Sequence, residues 1–133
     1  MIYTNYVEKY MMEDISIFGD EDYEIIDKMV YKDNGVTLKN LLEHPKNEVL
    51  IWNKGMVIFQ LYNDENGDKM CMIFLCYKSK DSKIDWDITR KEYWDCLKKN
   101  ECKKVMMYTK INPEFWIKNY DFKLKRYEME LEL

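Results

Sequence analysis

The 133-residue chain carries 21 basic and 25 acidic residues for a net charge of −4, with 47% apolar and 15% aromatic residues. That is too little chain for two domains and too much apolar content for disorder, and it gives nucleic acid no overall positive field, only the chance of a local basic patch. No apolar run is long enough to span a bilayer, and MIYTNYVEKY lacks the charged-then-apolar order of a signal peptide, so the expectation is one cytoplasmic domain over residues 1–133, with no membrane or nucleic-acid partner.

Tyr3, Tyr6, Val7, Tyr10 and Met11 recur at helical spacing and predict a helix over Thr4–Glu13. Asp14–Phe18 reads as a strand or a connection. A second helix begins at Asp20, which can cap it, with Glu21 and Asp22 at its positive end. Ile25, Ile26, Met29 and Val30 form its apolar face, and Asn34-Gly35 stops it. Thr37 caps a short helix carrying Leu38, Leu41 and Leu42 that ends before Pro45.

The period then changes. Glu48–Trp52 and Met56–Tyr62 are apolar runs around Asn53-Lys54-Gly55, a hairpin with glycine in its turn. A second turn, Asn63–Asp68, leads into KMCMIFLCY (Lys69–Tyr77), which is apolar at both parities, as a strand covered on both faces would be. Asp64, Glu65 and Asp68 are explained by that turn before any acid–base role. Thr89 and Glu92 have capping-box spacing, and Ile88 with Tyr93 occupy the hydrophobic-staple positions, predicting a helix to Asn100. Lys104–Ile111 reads as a strand parallel to the central one, because a helix connects them. Asn112-Pro113 opens one more short helix. Tyr127, Met129, Leu131 and Leu133 alternate with glutamates, a half-buried terminal strand. The fold class is α/β (α+β): a mixed sheet, with an antiparallel meander and a parallel central pair, flanked by helices.

The four cysteines include no CxxC pair, and His44 is the only histidine, so reduced thiols and no metal are expected. Cys71 and Cys76 have opposite parity on one strand, which predicts side chains on opposite faces.

The element order, with KKVMMYTKINPEFWIKNYDFKLKRYEMELEL closing it, resembles the GCN5-related N-acetyltransferase (GNAT) family from about Glu48 to Leu133. In that family a helix is followed by a strand, an Asn that starts the last helix, and an aromatic-Gly-Phe signature leading into the final strands. The counterparts here are Val105–Thr109, Asn112 and Tyr120-Asp121-Phe122. The resemblance implies acetyl-CoA as cofactor. Strand-end amides near Cys76 and Tyr77 would hold the pantetheine with Asn112, and an Arg/Gln-x-x-Gly-x-Gly/Ala loop would hold the pyrophosphate.

Two departures stand out. Ser79–Asp87 has no glycine where the family has two, so Lys78, Lys80, Lys83 and Arg90 would have to clamp the anion beside Asp81, Asp85 and Asp87. Four residues before the signature glycine, where many members place a tyrosine, this chain has Ile117; Trp116 and Tyr120 are out of step. No catalytic base is identifiable. Three readings therefore follow: an acyl-CoA-dependent N-acyltransferase with an atypical loop; an inactive GNAT-like protein-binding or inhibitory module of the kind carried by phages and mobile elements; or a structural protein. The tyrosines and ten methionines could serve a protein partner or simply pack.

Overall fold

A computed structural model describes residues 17–83, 85–107, 118, 122–123 and 129–132. The expected helix over Thr4–Glu13, the second half of the Lys104–Ile111 strand, the Asn112-Pro113 helix and Tyr120-Asp121 lie outside the described residues.

Helix α1 (Asp20–Asn34) carries Asp20, Glu21 and Asp22 in its first turn, but its N-cap is Gly19, which offers no side-chain bond. Asp20 is therefore the first helical residue rather than the cap, and its charge complements the helix dipole's positive end. Gly35, at φ 69°, donates to the Tyr31 carbonyl and ends the helix. Helix α2 (Leu38–Glu43) is capped as expected, with the Thr37 hydroxyl accepting from the Asn40 N–H at 3.2 Å.

Strands β1 (Asn47–Trp52), β2 (Gly55–Asn63), β3 (Lys69–Lys78) and β4 (Lys104–Met107) form a sheet in the order β1-β2-β3-β4. The first three pair antiparallel, and β4 lies parallel to β3 from Met70↔Lys104 to Ile73↔Met107. The central position of β3 and its parallel partner follow the expectation. The first hairpin differs in detail: Asn53 and Lys54 both take positive φ (47° and 58°), while Gly55 pairs with Trp52 as the first residue of β2. The turn is thus a two-residue left-handed one built without glycine. In the second turn the Asp64 carboxylate accepts from the N–H groups of Asn66 and Asp68, each at 2.9 Å, a backbone role.

Helices cover both faces of the sheet. On one, Ile26 and Val30 of α1 and Leu38 and Leu41 of α2 pack with Ile51, Met56, Ile58, Leu75 and Tyr77. On the other, Tyr93 and Leu97 of α3 (Trp86–Lys99) pack with Leu50, Val57, Phe59, Cys71 and Ile73.

Three further expectations are corrected. Helix α3 begins one turn before Thr89, because the Asp85 carboxylate accepts from the Ile88 N–H at 3.2 Å and starts the helix there. Thr89 is consequently a buried residue inside the helix, and Ile88 is 56% exposed, so the predicted capping box and staple do not form. Second, Cys71 and Cys76 share a face. The β2–β3 register jumps from Phe59↔Ile73 to Ile58↔Leu75, leaving Phe74 as an extra residue that reverses the side-chain parity beyond it. Cys71 and Cys76 then both pack on the α3 side, while Leu75 and Tyr77 reach the α1 side. All four cysteines are free thiols. Third, residues 129–132 form no strand, and Met129 and Leu131 are 92% and 82% exposed. Alternation is a local signal, whereas a strand needs a ladder partner that no local pattern supplies.

Candidate functional site at the end of the central strand

Strand β3 ends at Lys78, and residues 79–85 carry the chain to α3. The bulge at Phe74 fixes what this strand end presents, and the Phe74 carbonyl accepts from Asn34 Nδ2, the last residue of α1, at 3.0 Å. The parity change sends the Tyr77 ring toward α1, edge-on to Phe18 with centroids 6.0 Å apart. Its hydroxyl donates to Asp22 at 2.5 Å. That bond is the main influence holding the Asp22 carboxyl below the ordinary value of 3.8; burial opposes it, and Ser79, the Gly19 N–H and Lys54 add to it. Burial first, and Asp22 second, push the Tyr77 phenol above 10.

The connection itself is tied down from several directions. Ser79 is buried; its N–H donates to the Lys54 carbonyl at 3.0 Å and its carbonyl accepts from the Ser82 N–H at 3.0 Å. The Asp81 N–H donates to Ser79 Oγ, and the Ser82 hydroxyl donates to the Asn53 carbonyl of the first hairpin. Lys80 Nζ reaches both Glu21 oxygens at 3.2 Å, and this exposed pairing raises the Lys80 pKa.

Of the residues expected at a coenzyme site, Cys76 and Tyr77 diverge to opposite faces of the sheet. Lys78 and Lys83 are exposed on the rim, Lys80 is turned toward α1, and Arg90 is half-buried in the second turn of α3. Asn112 lies outside the described residues. The sequence reading missed four participants: Glu21, Asp22 and Lys54, distant in sequence, and the capping role of Asp85. Only Asp85 had a local signal, its three-residue spacing to Ile88, and the better-patterned Thr89-x-x-Glu92 outweighed it.

Several donors that a pyrophosphate would need are already engaged. An anion at a helix N-terminus needs free N–H groups and a positive field. Here the Ile88 N–H is given to Asp85, Asp87 adds a second carboxylate in the first turn, and the N–H groups of Ser79, Asp81 and Ser82 are spent within the connection and the hairpin. Among the described residues no His/Cys/Asp/Glu cluster could hold a metal ion, and no helix is long and apolar enough to cross a membrane.

The arrangement of sheet and helices has counterparts among solved structures. An acetyl transferase candidate of Pyrococcus furiosus matches 98% of this chain and 96% of its own, at 14% identity and a TM-score of 0.56. The chain has a GNAT-like fold. A ribosomal-protein-alanine N-acetyltransferase of Brucella melitensis biovar Abortus 2308 shares it over 70% of this chain and 74% of its own, at 17% identity and a TM-score of 0.52. So does a transcriptional regulator of Bacillus halodurans C-125, over 87% and 96%, at 13% identity and a TM-score of 0.51. No family model and no curated protein matches the sequence. At such identities the likeness is one of fold.

Proposed function

We propose that this GNAT-fold chain is a non-catalytic binding module that engages a protein partner and leaves acetyl-CoA largely unbound. The observation that carries this reading is the Asp85 carboxylate seated on the Ile88 N–H, at the helix end where the fold's acetyltransferases would accept pyrophosphate. The committed amides of Ser79, Asp81 and Ser82, and the Lys80–Glu21 pair, support it. Free thiols suit a reducing compartment, and we assign the protein to the cytoplasm.

Calorimetric titration with acetyl-CoA at about 0.1 M salt tests it. The expected dissociation constant is no tighter than about 1 mM, or roughly −4 kcal/mol. A micromolar constant, with coenzyme density at the ends of β3, overturns the reading. It would favour the second reading, an acetyl-CoA-dependent N-acetyltransferase with side-chain phosphate contacts, which the acetyltransferase neighbours from Pyrococcus and Brucella support. Lys80→Ala with Lys83→Ala would then weaken coenzyme binding, most clearly at low salt, without disturbing the fold.

A further inference from the structure

The opposite end of β3 has a different character. Lys69 and Lys78 bound this strand, so its two ends lie about 30 Å apart. Around Lys69 a groove of about 550 Å³ opens between the second turn, the start of β3 and the end of α3. Asn63, Asp68, Lys69, Lys98, Glu101 and Lys103 are among the residues that line it.

In a chain of net charge −4, four of the seven residues from Lys98 to Lys104 are exposed lysines. Lys98 and Lys99 are accounted for by the negative end of the α3 dipole. Lys103, Lys104 and Lys69 come from other segments, so helix stabilisation does not explain the cluster.

The groove wall is held firmly. Glu101 N–H donates to the Lys98 carbonyl and Cys102 N–H to the Leu97 carbonyl, both at 3.0 Å, closing α3 in a Schellman turn. Glu101 takes φ 65° at the position that usually holds glycine. The Lys103 N–H donates to the Lys69 carbonyl at 2.8 Å, and Lys69 Nζ donates to the Asn100 carbonyl at 3.0 Å.

We infer that this groove and its lysine rim dock an acidic, extended segment of a protein partner; the inference rests on the reading of the chain as a binding module. The lysines meet the segment's carboxylates, and Asp68 and Glu101 accept from its backbone N–H groups. Nucleic acid fits less well. Among the described groove residues none is aromatic, so a base has nothing to stack on, and a phosphate backbone has no N–H groups for Asp68 and Glu101 to accept from.

The test is fluorescence anisotropy of a labelled hexaglutamate peptide against the full chain. The wild type is expected to bind at low salt and to weaken at least about tenfold by 0.15 M, where charges are screened within about 8 Å. Lys98→Glu with Lys103→Glu should lower affinity at least about tenfold, and the milder Lys98→Gln with Lys103→Gln by less, in the same order. Lys78→Glu with Lys83→Glu, at the far end, should leave binding unchanged. Absence of wild-type binding overturns the inference, as does equal binding by the Lys98/Lys103 charge reversal, or tighter binding of a thymidylate hexamer than of the peptide. Acetyl-CoA titration reports on the other end of β3, so the two readings can fail separately.

Discussion

Asp22 and Tyr77 are 55 residues apart in sequence, yet their hydrogen bond ties the first turn of α1 to the end of the central strand. The folded carboxyl lies below its ordinary value of 3.8, so between the folded and unfolded values the unfolded chain holds more protons. The bond's stabilisation is therefore complete above about pH 4 and is lost as pH falls through the folded value. Tyr77→Phe should cost about 1 kcal/mol at pH 7 and give a shallower acid limb than the wild type. Urea unfolding at neutral pH and near pH 3 reads both, and identical acid limbs would show that the bond contributes nothing. Lys54 presents the opposite case, a non-glycine residue at φ 58° in the second position of a two-residue hairpin turn. Lys54→Gly should raise stability by about 0.5–1 kcal/mol, the relief of left-handed strain exceeding the added freedom of the unfolded chain. A thermal midpoint at or below the wild-type value would argue against strain there.

Strand β3 shows how one inserted residue redirects an element. Without the extra Phe74, alternation would place Cys76 on the α1 side and Tyr77 on the α3 side, and the Tyr77–Asp22 bond could not form. With it, Cys71 and Cys76 both lie against the α3 cluster, where burial pushes each thiol up to about 12. Cys96 and Cys102 pack against the same cluster, half-buried like Cys76, but burial raises their thiols less. Since the thiolate is the reactive form, a disulfide reagent at about pH 8 should label Cys96 and Cys102 first and reach Cys71 and Cys76 only on unfolding. Four equal, rapid labelling rates would contradict the shared buried face. Capping shows instead a competition between two local signals: Thr37 acts as its sequence suggests, whereas α3 starts from Asp85, one turn before the better-patterned Thr89.

The sheet is clamped between two apolar clusters that share its strands. Neighbouring residues such as Leu50 and Ile51, or Val57 and Ile58, send side chains to opposite clusters, so neither side can loosen without disturbing backbone common to both. Phe59 is fully buried and meets Tyr93 edge-on, with centroids 5.6 Å apart. Phe59→Ala should cost about 3–5 kcal/mol, a large share of a typical domain's stability. Circular dichroism and tryptophan fluorescence should still report one coincident unfolding transition, and separate transitions would show the two faces to be independent.

Period and capping chemistry were enough to find α1, α2, the three-stranded meander, the central place of KMCMIFLCY and its parallel neighbour, since each depends on residues within a few positions of one another. The candidate site was legible only in part. Lys78, Lys80 and Lys83 were visible as charges, but the partner that turns Lys80 aside, Glu21, is 59 residues away. The hairpin carbonyls that hold Ser79 and Ser82 lie 25 and 29 residues away. The bulge at Phe74 left no local mark either, because an apolar run with both parities filled reads the same with or without an inserted residue. The linear order of side chains thus determined the elements. Which faces they turned, and which charges at the end of β3 were already paired, depended on segments that only the folded chain brings together.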